Sequence, residues 1–423
     1  MEREEIIEEM YSQNPWWRSE PVKLPDKAVE RNLMPQILED LKSERVTTIV
    51  GLRRVGKTTL LKLIIEELSK ELERERICYF SFDLAEQIQP REIVKIYSEE
   101  IIRKTLPELE ERVYFFFDEI QKVKDWGNQV KSIQDKGYNI KFVATGSSSI
   151  NITKGIGESL AGRTLVRRLR PFSFPEFLMY RNVDFERGEL EEPIYPDNSE
   201  KLRILFNEYM EAGGLPELYE EMSLELLKQI LDLVFFRDIV NLFPVKRTDV
   251  LKGIFRILVE NTAQKVNYTK FARDLDTQYR TVKEYLQYLE DSFLIQRSHP
   301  YEGRRLKRYR KNPKIYVADH AYTNLWKCEE GLKAETIAFN HLKRIEKPFH
   351  LKDPEIDIVL PENKCAIEVK YKPEVRKSDA KPLTKLSNDF KLFLVTKENY
   401  GTWNINGRDV QLIPLWLLCT STS

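Results

Sequence analysis

The stretch VTTIVGLRRVGKTTLLKLIIEEL, residues 46–68, opens with five apolar or β-branched residues and closes with leucines and isoleucines at helical spacing. Between them, Gly51-Leu52-Arg53-Arg54-Val55-Gly56-Lys57-Thr58 fits the pattern G-x-x-x-x-G-K-[ST] in a strand, loop and helix context. The chemistry needs these residue types. Glycines let backbone N–H groups curl round phosphates, so Gly51, Arg53, Arg54, Val55, Gly56 and Thr59 form the expected cradle. Lys57 reaches the terminal phosphates and Thr58 offers a hydroxyl to Mg²⁺. The expected cofactors are ATP and Mg²⁺.

A second element supports this reading. In RVYFFFDEIQKV a run of bulky apolar residues precedes Asp118-Glu119, as a buried strand with acids at its C-terminal end would. Asp118 would hold Mg²⁺, usually through water, and Glu119 would polarise the attacking water as general base. A further apolar strand, ICYFSFDL at 77–84, lies between the two motifs, and another at 140–144 leads into Thr145-Gly146-Ser147. One inserted strand is what the additional-strand ATPases, including AAA+ proteins, look like. In that reading Thr145 or Ser147 senses the γ-phosphate; the alternative is a small-residue turn after a core strand.

Composition bounds the rest. At 423 residues the chain is too long for one typical domain. Its 68 basic and 68 acidic residues cancel, so any attraction to nucleic acid must come from a local patch. Cys78, Cys328, Cys365 and Cys419 are isolated from one another and from the histidines, which argues against zinc or a disulfide framework. The N-terminus is acidic, and no run reaches the ~18 apolar residues of a membrane span, so a cytoplasmic protein without membrane contact is expected.

With these motifs stand NPWW at 14–17, ATGSSS at 144–149 and LAGRTLVRRLRPFSFPEFL at 160–178. Together they resemble the prokaryotic, largely archaeal AAA-type ATPases that carry a C-terminal domain of uncharacterised function, and the resemblance runs over nearly the whole chain. It implies that Arg163 is a candidate to reach a γ-phosphate in its own subunit or in a neighbouring one of a homo-oligomer, as an arginine finger does. The motif Glu211-Ala212-Gly213-Gly214-Leu215-Pro216-Glu217 also matches the family, and its glycines and proline specify a turn.

From 219 to 300 the apolar spacing is helical, and three helices followed by a strand resemble a winged helix-turn-helix. Residues 278–291 would be its recognition helix, with Arg280, Lys283, Tyr285 and Gln287 as polar contributions. At the wing's position, GRRLKRYRKN at 303–312 carries six cations and no acid: Arg304, Arg305, Lys307, Arg308, Arg310 and Lys311. Such a tip would neutralise DNA phosphates without sequence preference; the alternative is a solvated loop.

The C-terminal part opens with a helical segment carrying Glu335. A hairpin follows, with EIDIVL at 355–360 and CAIEVK at 365–370. Alternation along a strand puts Glu368 and Lys370 on one face, and pairing across the turn brings Asp357 near Glu368. In order and spacing Glu335, Asp357, Glu368 and Lys370 resemble the PD-(D/E)xK nuclease core, although Ile356 stands where the motif's name has proline. The resemblance implies Mg²⁺ held by Asp357 and Glu368, with Glu335 nearby and Lys370 stabilising charge.

The expected fold class is a multidomain α/β chain. It comprises an AAA+-like P-loop ATPase with a parallel sheet (1–175), a helical lid or linker (176–250), a winged helix (251–318) and a restriction-endonuclease-like domain (319–423). The expected function is ATP hydrolysis coupled to DNA binding, with possible Mg²⁺-dependent cleavage. The alternatives are a nucleotide-driven switch whose last domain only binds DNA or a protein, and a motor acting on protein.

Overall fold

A computed structural model describes residues 2–83, 85, 87–146, 160, 162–301 and 312–422. The chain divides into two compact units, Met1–Arg170 and Pro171–Ser423. The basic residues Arg304, Arg305, Lys307, Arg308, Arg310 and Lys311, like Ser147, lie outside the described residues. Among those described, no helix is long and apolar enough to cross a membrane.

The first unit is built on five described strands: β1 (Val46–Val50), β2 (Ile77–Ser81), β3 (Val113–Asp118), β4 (Ile140–Gly146) and β5 (Thr164–Arg168). They pair in parallel in the order β2-β3-β4-β1-β5. Parallel strands covered on both faces need near-continuous apolar runs, and Phe115, Phe116 and Phe117 are all fully buried. Phe142 on β4 stacks against Phe115 and Phe117, with centroids 5.6 and 5.7 Å away.

The NPWW segment covers a sheet edge. Asn14 brackets Tyr79 of the edge strand β2, donating to its carbonyl at 2.8 Å and accepting its N–H at 2.6 Å. The indoles of Trp16 and Trp17 both donate to the Ile77 carbonyl. Side chains thus satisfy backbone groups that an open edge would offer to another strand.

The second unit contains the helices Thr248–Glu260, Tyr268–Asp274 and Tyr279–Asp291, and a small antiparallel sheet. Its strands are β6 (Gln264–Lys265), β7 (Ile295–Ser298) and β8 (Lys314–Val317), in the order β6-β8-β7. Tyr285 corrects an expectation. It shares the buried face of its helix with Val282, Leu286 and Leu289, and its hydroxyl accepts the Arg247 N–H at 3.0 Å. It is therefore core and cap, and offers nothing to a partner. Arg280 remains exposed and pairs with Glu284 one turn on, and Gln287 bonds Asp291. Lys283 lies over the rings of Tyr268 and Tyr279.

The helix Glu330–Leu342 precedes a larger sheet of β9 (Phe349–Lys352), β10 (Glu355–Leu360), β11 (Cys365–Lys370), β12 (Lys391–Thr396), β13 (Gly401–Ile405) and β14 (Arg408–Pro414). Its order is β13-β14-β12-β11-β10-β9; β11, β12 and β14 run parallel and the outer pairings are antiparallel. The register of β10 against β9 shifts between Ile356 and Val359, so Asp357 sits in an irregularity that re-aims side chains.

Candidate functional site

In the first unit the strand order does the positioning. The phosphate loop follows β1, Asp118 ends β3, and β4 lies between them, so Thr145 stands between loop and acid. Thr58 donates to Asp118 Oδ2 at 2.6 Å, and the Thr145 hydroxyl donates to Asp118 Oδ1. The Glu119 N–H donates to Thr145 Oγ1 at 3.0 Å. Glu119 itself is left-handed, with φ at 52°, which turns the chain out of β3, and its carboxylate accepts from the Gln121 amide. Lys57 Nζ donates to the carbonyls of Gly51 and Leu52 at 3.0 and 3.1 Å, so its ammonium already lies against the loop.

Two glycines of the loop have geometric reasons. Gly56 has φ at 94°, a conformation other residues rarely adopt, and a Cβ on Gly51 would come within 2.4 Å of the Leu169 carbonyl oxygen. Arg54 is also left-handed, while Val55 is fully buried. The Thr58 hydroxyl and Asp118 carboxylate are hard oxygen donors placed together, a set that suits Mg²⁺.

Two residues of this site have no motif to announce them. The Tyr79 hydroxyl donates to Asp118 Oδ2 at 2.9 Å; burial, and then the facing Asp118, hold the phenol's pKa far above its ordinary value. Its signal is weak: a hydroxyl on β2 two residues before Ser81, which pairs with Asp118. Arg31 donates to the Val55 carbonyl at 2.9 Å and to the Arg170 carbonyl at 2.6 Å, tying the loop to the end of β5.

Arg163 is corrected in part. It precedes β5, whose first residue Thr164 lies beside Val46 at the start of β1, whereas the loop follows the end of β1. A strand length of roughly 16 Å separates the two edges. Arg163 is exposed there and pairs with Asp135, so it does not serve the loop of its own subunit.

In the second unit Ile358 pairs with Ile367, which sets Asp357 opposite Glu368. The Asp357 N–H donates to Glu368 Oε2 at 3.3 Å, the Val369 N–H to Asp357 Oδ2 at 3.1 Å, and Lys370 Nζ lies 2.6 Å from Glu368 Oε1. Glu335, Asp357, Glu368 and Lys370 line a cleft of about 650 Å³. A fifth group, Lys314, joins them. Its Nζ lies 2.9 Å from Glu335 Oε1 and 2.9 Å from Asp357 Oδ1, and the Tyr316 hydroxyl donates to the same Glu335 oxygen at 2.8 Å.

Burial is the main cause that pushes Glu335 up to about 7, with the facing Asp357 adding to it. Glu368 is pushed to about 7 by the same two causes in the same order. For Lys314, burial opposes the charge, but Glu335 and Asp357 outweigh it and hold the ammonium above its ordinary value. Lys370 is likewise raised, Glu368 and Asp357 overcoming burial.

Glu335, Asp357 and Glu368, expected as a ligand set, all line this cleft. Among the described residues no three His, Cys, Asp or Glu side chains are placed to hold a metal ion. The Lys314 ammonium lies between Glu335 and Asp357. Its only sequence trace is a lysine opening the otherwise apolar strand KIYV.

The family model described as "AAA domain" matches residues 43–178, and one described as "Domain of unknown function (DUF8612)" matches residues 203–326. An uncharacterized protein of Haemophilus influenzae is 26% identical over 405 residues, covering 92% of this chain and 98% of that one. An uncharacterized protein of Methanocaldococcus jannaschii is 28% identical over 432 residues, covering 93% and 90%. Among solved structures, a Walker-type ATPase of Pyrococcus abyssi has 15% identity and a TM-score of 0.45, covering 73% of this chain and 99% of that one. The loop of β1, the acids of β3 and the five-stranded parallel order agree with the family match, so residues 43–178 are similar to AAA-type P-loop domains.

Proposed function

We propose that the chain hydrolyses ATP and couples turnover to DNA binding by its second unit, as a nucleotide-driven switch. The observation that carries the first half is the 2.6 Å contact between the Thr58 hydroxyl and Asp118, with Glu119 next in the chain. Thr58 and Asp118 would hold Mg²⁺, which neutralises phosphate charge when bound. Lys57 orients the terminal phosphates, Thr145 fixes Asp118 and the Glu119 backbone, and Glu119 accepts the proton of the attacking water. Arg163, exposed at the far sheet edge, is proposed to act on the nucleotide of a second copy.

The DNA half rests on composition and on fold. The helices 248–291 with the strands β7 and β8 support a winged helix, and the helix 330–342 with β9 to β12 supports a nuclease-like domain. The cations of 303–312 would be the wing. Neutralising Arg304, Arg305, Lys307, Arg308, Arg310 and Lys311 together is expected to weaken duplex binding at every sequence. The slope of log affinity against log salt should shrink by about 0.9 for each DNA phosphate that is no longer neutralised. A fluorescence anisotropy titration at several salt concentrations checks this, and an unchanged slope would move the substrate class to protein.

Tyr79→Phe tests the nucleotide half without touching the loop. A second partner of a metal-holding carboxylate typically contributes 10- to 100-fold in metal affinity. The variant is therefore expected to need roughly 10-fold more Mg²⁺ for half-maximal turnover at unchanged nucleotide binding.

A second reading, metal-dependent DNA cleavage, is favoured by the pairing of Asp357, Glu368 and Lys370 and opposed by Lys314. Incubating wild type and Lys370→Ala with single-stranded, duplex and branched DNA and Mg²⁺ or Mn²⁺ separates the two. Cleavage that disappears in the variant would support the second reading, and binding without cleavage supports the switch.

A further inference from the structure

Each acid of the second-unit cluster is already engaged by a donor of the protein. Glu335 Oε1 takes Lys314 and Tyr316, and Asp357 takes Lys314 on Oδ1 and the Val369 N–H on Oδ2. Glu368 takes Lys370 on Oε1 and the Asp357 N–H on Oε2. Lys314, Glu335, Asp357 and Glu368 are all at least nine-tenths buried. An ammonium at 2.9 Å from two carboxylates makes the same charge-assisted contacts that a metal ion would seek from those oxygens.

The backbone holds that ammonium in place. Lys314 pairs with Ser298 on β7 and with Lys265 on β6, so its strand is fixed on both sides. The other lysines lining the cleft are also matched, Lys265 with Glu355 at 3.1 Å and Lys372 with Asp379 at 2.8 Å. A divalent ion entering between Glu335 and Asp357 would meet a positive charge already seated there, at a separation where like charges repel strongly in a dry interior.

We propose that Lys314 is a resident cation that takes the place of a divalent metal ion between Glu335 and Asp357, so that the cleft excludes metal while Lys314 is present. The cluster is then a charge-compensated core of the second unit, and metal-assisted hydrolysis is closed to it by a residue from the strand that follows the basic segment. Removing the ammonium leaves the buried carboxylates of Glu335 and Asp357 without their cation, hard oxygen donors free to draw together on Mg²⁺ or Mn²⁺. The inference does not depend on ATP hydrolysis by the first unit.

The test is a Mn²⁺ titration of the full-length chain without nucleotide, with free ion read by electron paramagnetic resonance. Four proteins are compared: wild type, Asp357→Asn, Lys314→Ala and the double variant Lys314→Ala/Asp357→Asn. Any ion at Thr58 and Asp118 is common to all four and cancels. Wild type and Asp357→Asn are expected to bind the same number of ions, Lys314→Ala one more per chain, and the double variant to return to the wild-type number. Lys314→Ala is also expected to melt lower than wild type without metal and to regain part of that loss with Mn²⁺. Should Lys314→Ala fail to fold, Lys314→Met, which keeps the buried stem, is titrated in its place. An ion bound by wild type and absent from Asp357→Asn would overturn the proposal, as would a folded Lys314 variant that gains none.

Discussion

Replacing Glu119 with glutamine is expected to lower steady-state phosphate release by about 10²- to 10⁴-fold, the usual contribution of a positioned general base. Nucleotide binding should stay within a few-fold of wild type. The two effects separate because of where the residue sits. The Glu119 backbone is held by Thr145 at 3.0 Å and adopts a left-handed turn at the end of β3, and glutamine keeps both the shape and the backbone N–H. What it loses is the ability to take a proton from water. Lys57, Thr58 and the loop glycines, the proposed phosphate-binding residues, are untouched. Phosphate release and equilibrium binding of a fluorescent ATP analogue check this together. A variant that turns over at the wild-type rate would place the base elsewhere, and one that no longer binds nucleotide would mean that Glu119 is needed for the fold of the loop.

How much of this was legible in the sequence depended on whether a residue's role was local. The phosphate loop and the acids after VYFFF are contiguous patterns whose spacing carries their geometry, so Lys57, Thr58, Asp118 and Glu119 could be singled out from the chain. The pairing of Asp357 with Glu368 followed from a hairpin with a four-residue turn, which is also local. Tyr79, Arg31 and Lys314 act across long sequence separations, and what lies near them in the chain signals it weakly or not at all. Lys314 reaches Asp357 across 43 positions and Tyr79 reaches Asp118 across 39. Arg163 shows the complementary failure: a family-type turn points to a role, but only strand direction reveals that it lies just before β5, at the edge away from the loop. Tyr285 was misjudged because a tyrosine at helical spacing reads equally as core or as contact, and packing decided for core.

The EAGGLPE turn rests on Asp319. Both oxygens of its carboxylate accept the Gly214 N–H, at 3.1 and 3.0 Å, and one also accepts the Ala321 N–H at 2.8 Å. The turn comes so close that a Cβ on Gly213 would lie 2.5 Å from Asp319 Oδ1, and one on Gly214 would lie 2.7 Å from the Phe172 carbonyl oxygen. Asp319→Ala strands two buried N–H groups and is expected to cost about 4 kcal/mol, at roughly 1–3 kcal/mol for each donor left unpaired. Asp319→Asn keeps an acceptor and should cost less.

The pair of variants also carries a pH signature. Burial lifts the Asp319 carboxyl from 3.8 to about 6, against the opposing pull of its backbone hydrogen bonds. A carboxyl whose folded pKa is raised binds its proton more tightly in the folded chain. Its contribution is therefore full below the unfolded pKa near 3.8 and is lost as pH rises through about 6. The stability difference between wild type and Asp319→Asn, measured by urea unfolding, is expected to move against wild type by about 2 kcal/mol between pH 4 and pH 7. A difference that stays flat over that range would mean that the hydrogen bonds from Gly214 and Ala321 compensate burial fully, leaving the carboxyl of the folded chain at its unfolded pKa.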